Sequence, residues 1–97
     1  MRIFGIDPGI AGAIAILDGN EIIDVLDLPT MSEGKKNKKQ LNSAHLSQYI
    51  SSNVKDINKT VVVVEQVNAM PGQGVTSMFN FGQTFGAIKG ISATLKL

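Results

Sequence analysis

Two carboxylates, Asp7 and Glu65, each end a run of apolar residues that is typical of a β-strand. Asp7 follows the run from Arg2 to Ile6, and Glu65 follows four consecutive valines. If the two strands are parallel neighbours, about 4.8 Å apart, both side chains lie at the same edge of the sheet. Two carboxylates at that separation can share or flank Mg²⁺, a hard cation that prefers oxygen ligands. The pair therefore predicts a magnesium site.

Asp7 also belongs to the turn sequence Asp7-Pro8-Gly9, in which proline fixes one backbone dihedral and glycine frees the next. A turn role is the ordinary interpretation for Asp7 alone. Glu65 favours a functional interpretation, because an acid that ends a run of valines is unfavourable unless it is solvated, paired or bound to metal. His45 has no second histidine to share a site, so we do not assign it as a ligand.

Composition predicts one small folded domain spanning residues 1–97. Of the 97 residues, 43% are hydrophobic and 18% are charged, which suits a single modest core. The apolar runs are too short to cross a membrane, and the absence of cysteine excludes disulfides and cysteine-ligated zinc. We therefore expect a cytoplasmic protein without membrane association.

The net charge of +1 conceals a local concentration of positive charge. Four of the nine basic residues fall in one stretch that also contains glycine and asparagine. These residues are Lys35, Lys36, Lys38 and Lys39. Residues 29–40 have no apolar period, so we expect a mobile basic connection without secondary structure.

Three strands are predicted before that connection. The first ends at Asp7, the second covers residues 11–17, and the third covers residues 21–27 after a tight turn at Asp18-Gly19-Asn20. A helix follows, with Asn42 placed to cap its free amides. Its apolar face has helical spacing and comprises Leu46, Tyr49, Ile50, Val54 and Ile57.

The fourth predicted strand runs from residue 60 to residue 65 and is β-branched without alternation. That pattern is typical of a strand covered on both faces in a central, parallel position. After a break at residues 70–74, helical spacing returns and continues to the end of the chain without a glycine or proline stop. The positions that carry this spacing are Met78, Phe81, Phe85, Ile88, Ser92 and Leu95.

Three glycines, Gly82, Gly86 and Gly90, repeat every four residues on the second helix, although each costs roughly 1 kcal/mol relative to alanine. Such a stripe indicates close backbone approach. With Phe81 and Phe85 beside it, the stripe packs on the sheet, on a partner helix or on a DNA backbone.

The order of the elements predicts an α/β fold with a mixed sheet. Strands one to three form an antiparallel meander, and strand four lies parallel beside strand one. Two helices complete the predicted domain.

Two separated motifs resemble RuvC-type Holliday junction resolvases. Residues 4–9, Phe-Gly-Ile-Asp-Pro-Gly, with the Ala/Gly-rich second strand, resemble the opening of that family. Residues 63–67, Val-Val-Glu-Gln-Val, are similar to its second acidic motif, and Phe81-Gly82-Gln83 with Gly86 resembles the helix that follows. The resemblance implies a ribonuclease H-like fold and a homodimer that nicks two strands of a four-way DNA junction.

The resemblance also implies roles for individual residues. Asp7 and Glu65 become catalytic ligands of Mg²⁺ or Mn²⁺. Residues on the loop up to Gly74 face the DNA junction, among them Gln66, Asn68 and Gln73. The lysine cluster supplies weaker candidates for phosphate contacts.

The chain departs from the family pattern in three respects. Family members continue for several dozen residues and supply two further acids from a final helix, so we expect an incomplete fold that lacks the last strand and helix, with little or no activity. Strand four then has a free edge, which predicts either a dimer or poor solubility. Asn68 replaces an aromatic that stacks in some relatives, and the lysine cluster matches no family motif.

Two other functions are compatible with the sequence. A non-catalytic DNA-binding or dimerising remnant of the same fold predicts salt-sensitive junction binding without cleavage. Sugar-kinase and actin-like ATPases also begin with a glycine-containing strand, an aspartate and a hairpin. However, Glu65-Gln66-Val67 is not their phosphate motif.

Overall fold

Five strands precede the first helix in the part of the chain that the computed structural model describes, which is residues 1–9, 11–32, 34, 39–66 and 74–97. A single turn of 3-10 helix, Ile57–Lys59, precedes the last strand. The other elements in chain order are β1 (Arg2–Asp7), β2 (Ala13–Asp18), β3 (Glu21–Asp27), β4 (Thr30–Ser32), β5 (Lys39–Leu41), α1 (Ser43–Asn53), β6 (Thr60–Val64) and α2 (Val75–Thr94).

The main sheet has the strand order β3-β2-β1-β6. Strands β1, β2 and β3 form an antiparallel meander, and β6 lies parallel to β1 with Ile6 opposite Val64. The predicted α/β architecture with a mixed sheet is therefore confirmed, including the parallel pairing of the first strand with the run of valines.

One face of this sheet forms the core. Phe4, Ile6, Ile14 and Ile16 alternate along β1 and β2 and are almost fully buried. Both helices pack on this face, and they contribute the buried residues Leu46, Ile50 and Ile88. Burying side chains of this size stabilises the fold by roughly 1.5 to 3 kcal/mol each.

A bulge in the β2–β3 hairpin decides which face each residue of β3 occupies. The register shifts between Ile16 and Leu17, and Ile23 has no partner in the ladder. Beyond the bulge, Asp24 lies opposite Ile16 and Asp27 opposite Ala13. One inserted residue reverses the side-chain alternation of everything that follows it.

Helix α1 begins as predicted and ends earlier than predicted. The side chain of Asn42 accepts a 3.1 Å hydrogen bond from the backbone amide of His45. The helix ends at Asn53, so the prediction that Val54 and Ile57 belong to it is wrong. The side chains of Ser51 and Asn53 bond to backbone carbonyls one turn back, the local competition that disfavours further helix.

The connection predicted to lack secondary structure contains a two-stranded ribbon. Strands β4 and β5 pair antiparallel, with Thr30 opposite Leu41 and Ser32 opposite Lys39. The prediction is therefore wrong at both ends of the connection. Residues 35–38, with three of the four clustered lysines, lie outside the described residues.

Helix α2 ends at Thr94, which corrects the prediction of a helix without a stop. Lys96 has a left-handed φ of 62°, and its amide bonds the carbonyl of Ala93 at 3.1 Å. The amide of Leu97 bonds the carbonyl of Ser92 at 2.9 Å. These two bonds form a Schellman cap in which lysine takes the place of glycine, so the sequence carried no signal of it. Among the described residues, no helix combines the length and apolar character needed to cross a membrane.

The glycine stripe of α2 faces open space within the described structure. A Cβ added at Gly82, Gly86 or Gly90 would meet nothing within 4 Å outside its own helix. The interpretation that these glycines pack tightly on the sheet is therefore wrong. Packing on a partner helix or on DNA stays a prediction.

The second face of the sheet has no helix on it in the described part of the chain. Strand β6 lies at the sheet edge there, with Val61 and Val63 exposed. The prediction that the run of valines is central and covered on both faces is therefore wrong, and the predicted free edge of this strand is confirmed among the described residues. The small residues Gly5, Ala13 and Ala15 form the middle of this face by register.

Candidate metal site and adjoining groove

Asp7 and Glu65 lie side by side where β1 and β6 end. Ile6 and Val64 are opposite each other in the parallel ladder, and the amide of Glu65 extends the ladder with a 3.0 Å bond to the carbonyl of Ile6. Because Ile6 and Val64 pack into the core, alternation directs the next side chain of each strand to the other face. The two acids share one edge and one face of the sheet.

A rigid turn holds the backbone at Asp7. One carboxylate oxygen, Oδ1, accepts a 3.0 Å hydrogen bond from the amide of Gly9. Gly12 closes the turn through a 3.0 Å bond from its amide to the carbonyl of Gly9. A Cβ at Gly12 would collide with the Asp7 carbonyl and the Leu28 side chain, so this position requires glycine. Asp7 is therefore a residue of the turn as well, and only one of its two carboxylate oxygens takes part in this bond.

The donor set fits a weak site for a hard divalent cation. Both side chains are exposed and offer carboxylate oxygens. Mg²⁺ keeps several waters and needs only one or two protein carboxylates when substrate phosphates complete its coordination. Within the ranges the structure describes, these acids do not join a group of three or more Asp, Glu, His or Cys residues.

A third acid, Asp27, lies on the same face and in the same row of the sheet. Ala13 is opposite Asp7 on one side and opposite Asp27 on the other. Two strand spacings separate Asp27 from Asp7, which is about 10 Å. This distance is too great for the two carboxylates to ligate one ion, but it gives the edge a further negative charge.

A groove begins next to Asp7 and runs between the β4–β5 ribbon and α2. Its first part is a cavity of about 540 Å³ that starts at Pro8 and Gly9 and reaches Asn80 and Phe81. A second cavity of about 300 Å³ continues it toward Gln83 and Ala87. We call the two together the ribbon–helix groove. Five residues line both parts: Lys39, Gln40, Leu41, Asn80 and Thr84.

The predicted DNA-contacting residues fall at different places. Gln66 is exposed and follows Glu65 directly. Lys39 is exposed on β5, in the wall of the ribbon–helix groove and away from the acidic pair. The others, namely Asn68, Gln73, Lys35, Lys36 and Lys38, lie outside the described residues.

The aromatic residues assigned to dimerisation or close packing form a small stack on α2. The rings of Phe81 and Phe85 have centroids 6.3 Å apart and are inclined by 14°. The ammonium group of Lys89 lies 5.6 Å from the centroid of Phe85. Phe81 also lines the groove.

Sequence reasoning missed Asp27 and the polar groove residues Thr30, Gln40, Asn80 and Thr84. No motif marks the groove residues, because the groove exists only once the ribbon lies against α2. Asp27 joins the row of Asp7 through the bulge at Ile23, which the hairpin sequence does not reveal.

Comparison with known proteins leaves the resemblance to RuvC-type resolvases as a prediction. No family model and no curated protein matches the chain.

Proposed function

We propose that this chain is a ribonuclease H-like, metal-dependent endonuclease of the RuvC type that acts on four-way DNA junctions. The observation that carries the proposal is the position of Asp7 and Glu65 at adjacent ends of two parallel strands, on one face of the sheet. The strand order β3-β2-β1-β6, with β6 parallel to β1, is compatible with the same fold.

The protein's own part in the reaction is to hold two carboxylates at one scissile phosphate. The Gly9 amide fixes the orientation of the Asp7 side chain, and the ladder bond from Glu65 to Ile6 fixes the spacing of the two acids. A divalent cation held there would supply water activation and charge neutralisation for phosphodiester hydrolysis. Asp7 and Glu65 would hold it, and the exposed Gln66 offers an amide to the DNA nearby.

Cleavage assays on four-way, forked and linear DNA, with Mg²⁺ and with chelator, test this proposal. We expect slow Mg²⁺-dependent nicking of the four-way junction, because only two acids meet at this site in the described residues. Asp7→Asn and Glu65→Gln should each lower the nicking rate by about 100-fold or more, because each removes one charged ligand. Asparagine keeps an oxygen that can accept the hydrogen bond from the Gly9 amide, so Asp7→Asn preserves the turn.

Glu21→Gln is the matched control, since Glu21 is exposed at the opposite end of the sheet. It should leave the nicking rate unchanged. Nicking that persists in Asp7→Asn, or that is insensitive to chelator, would overturn the metal site. Salt-sensitive junction binding without any nicking would instead support the non-catalytic remnant.

A further inference from the structure

The ribbon–helix groove lies on the helix-covered side of the sheet and reaches the sheet edge at which Asp7 and Glu65 point to the other face. It starts at Pro8 and Gly9, the two residues that follow Asp7, and extends along α2 to Ala87. From Asn80 to Ala87 the helix rises about 10 Å. At the rise of duplex-like stacked DNA, about 3.4 Å per nucleotide, that length accommodates about three stacked nucleotides of one strand.

The walls of the groove carry the groups that bind a single nucleic-acid strand. The ribbon contributes the exposed Lys39, a phosphate partner, and the exposed Gln40. Helix α2 contributes the amide of Asn80, the hydroxyl of Thr84 and the half-buried ring of Phe81. An aromatic ring in a groove with a cation is the usual combination for single strands, because every base can stack.

The charges in the groove give the strand a place for its phosphates. Asp27 lines the end near Asp7, next to the paired residues Thr30 and Leu41. Lys39 lies opposite Ser32. It is two residues from Leu41 along β5, which is a distance of about 7 Å. Phosphates therefore favour the Lys39 end, because the Asp27 side chain lies on the sheet face of Asp7 and adds negative charge at the other end.

We propose that the ribbon–helix groove holds one strand of DNA that leads to the Asp7–Glu65 edge, with a base stacked on Phe81 and a phosphate at Lys39. The inference rests on the proposed nuclease function for its choice of DNA. The binding itself requires no metal ion, so it can be tested separately from cleavage.

Fluorescence anisotropy of a labelled single-stranded oligonucleotide, measured with the full chain in chelator, tests the groove. Phe81→Leu should weaken binding about tenfold, because leucine keeps apolar bulk and loses the stacking surface. Phe79→Leu is the matched control, since Phe79 is 64% exposed on the same helix and does not line the described groove. The control should bind like the unchanged chain.

Lys39→Gln gives a second readout that does not depend on the packing of Phe81. The slope of log affinity against log salt should fall by about one, the mark of one lost phosphate contact. Lys55→Gln, at an exposed lysine outside both cavities, should keep the original slope. Amide chemical shifts should move at Gln40 and Thr84 on titration and stay fixed at Val25, on the other face of the sheet.

The outcomes separate this inference from the proposed function. Equal losses in Phe81→Leu and Phe79→Leu, or an unchanged salt slope in Lys39→Gln, would overturn the groove. Metal-dependent nicking, together with single-strand binding that neither groove variant changes, would leave the nuclease proposal intact and refute the groove alone. Equally tight binding of an RNA strand would refute the choice of DNA.

Discussion

Arg2 joins three parts of the fold through one buried guanidinium group. Its Nη1 donates a 2.7 Å bond to the carbonyl of Asn53 at the end of α1, and its Nη2 lies 3.0 Å from the carboxylate of Asp18 on β2. The Arg2 side chain is 9% exposed and the Asp18 side chain 40%. The Asn53 carbonyl therefore depends on Arg2 for its hydrogen bond more than the Asp18 carboxylate does, since water can solvate the carboxylate.

Arg2→Ala should lower the free energy of unfolding by about 2 to 3 kcal/mol, because it leaves the Asn53 carbonyl without its donor and removes packing. Urea denaturation measures the change. Asp18→Asn, which keeps an acceptor for Nη2, should cost less than 1 kcal/mol. Equal losses in the two variants would contradict the importance of the bond to Asn53.

Tyr49 should make the stability of the protein depend on alkaline pH. Burial, and then the 2.7 Å hydrogen bond from its hydroxyl to Asp24, raise the pKa of Tyr49 above its ordinary value of 10.0. Above pH 10 the unfolded chain releases this proton while the folded chain keeps it. The contribution to the free energy of unfolding is therefore complete below pH 10 and declines as pH rises through the folded-state pKa.

Denaturation curves across this alkaline range, compared with those of Tyr49→Phe, measure the effect, because the variant lacks the titrating group. Tyr49 is the single tyrosine and the chain has no tryptophan, so the tyrosinate absorbance reports this residue alone. A titration midpoint near 10 in the folded protein would contradict the environment described for the phenol.

At the scale of elements, the glycines of α2 leave room for a side chain within the described structure. Gly82→Ala and Gly86→Ala should each raise the free energy of unfolding by about 1 kcal/mol, since alanine is the better helix former and its methyl group meets nothing within 4 Å. Gly12→Ala should do the opposite, because its methyl group would collide with the Asp7 carbonyl. Thermal unfolding of the three variants shows whether each substitution raises or lowers the stability of the fold.

Loss of stability in Gly82→Ala or Gly86→Ala would show that the stripe is in contact with another surface in solution. A concentration-dependent loss would identify that surface as a second copy of the chain.

The sequence predicted those elements whose signals are local and regular. The turn at Asp18-Gly19-Asn20 and the capping side chain of Asn42 lie where sequence rules put them. The pairing of β1 with β6 followed from the run of valines and from the order of the elements. Once β1 and β6 are paired with Ile6 opposite Val64, the next residues, Asp7 and Glu65, are adjacent.

The features that were missed depend on contacts between distant segments or on exceptions to local rules. Without the bulge at Ile23, the hairpin count puts Leu26 opposite Ala13 and leaves Asp27 outside the row of Asp7. The bulge allows Leu26 to join the core and Asp24 to meet Tyr49. Lys96 caps α2 in a conformation that favours glycine, so no residue type announced the helix end.

At the scale of the whole molecule, the sheet is apolar on both faces while the described helices cover only one. The second face carries Ile22, Val25, Val61 and Val63, which are between 38% and 68% exposed. Exposed apolar side chains on one sheet face mark an interaction site or an aggregation risk where they adjoin. Strand β6 adds the unpaired backbone of a sheet edge to the same region.

We therefore expect the chain to self-associate through β6 and the adjoining apolar face. Val63→Lys should shift the protein toward monomer, because a charge on an edge strand opposes strand addition and would be buried in a face-to-face dimer. Val63 is 54% exposed, so the lysine fits the monomer without strain. Ile57→Lys, at a residue 43% exposed in the 3-10 turn and outside the sheet, is the matched control and should leave association unchanged. Light scattering over a range of concentrations distinguishes the cases, and an unchanged chain that stays a monodisperse monomer at high concentration would contradict the expectation.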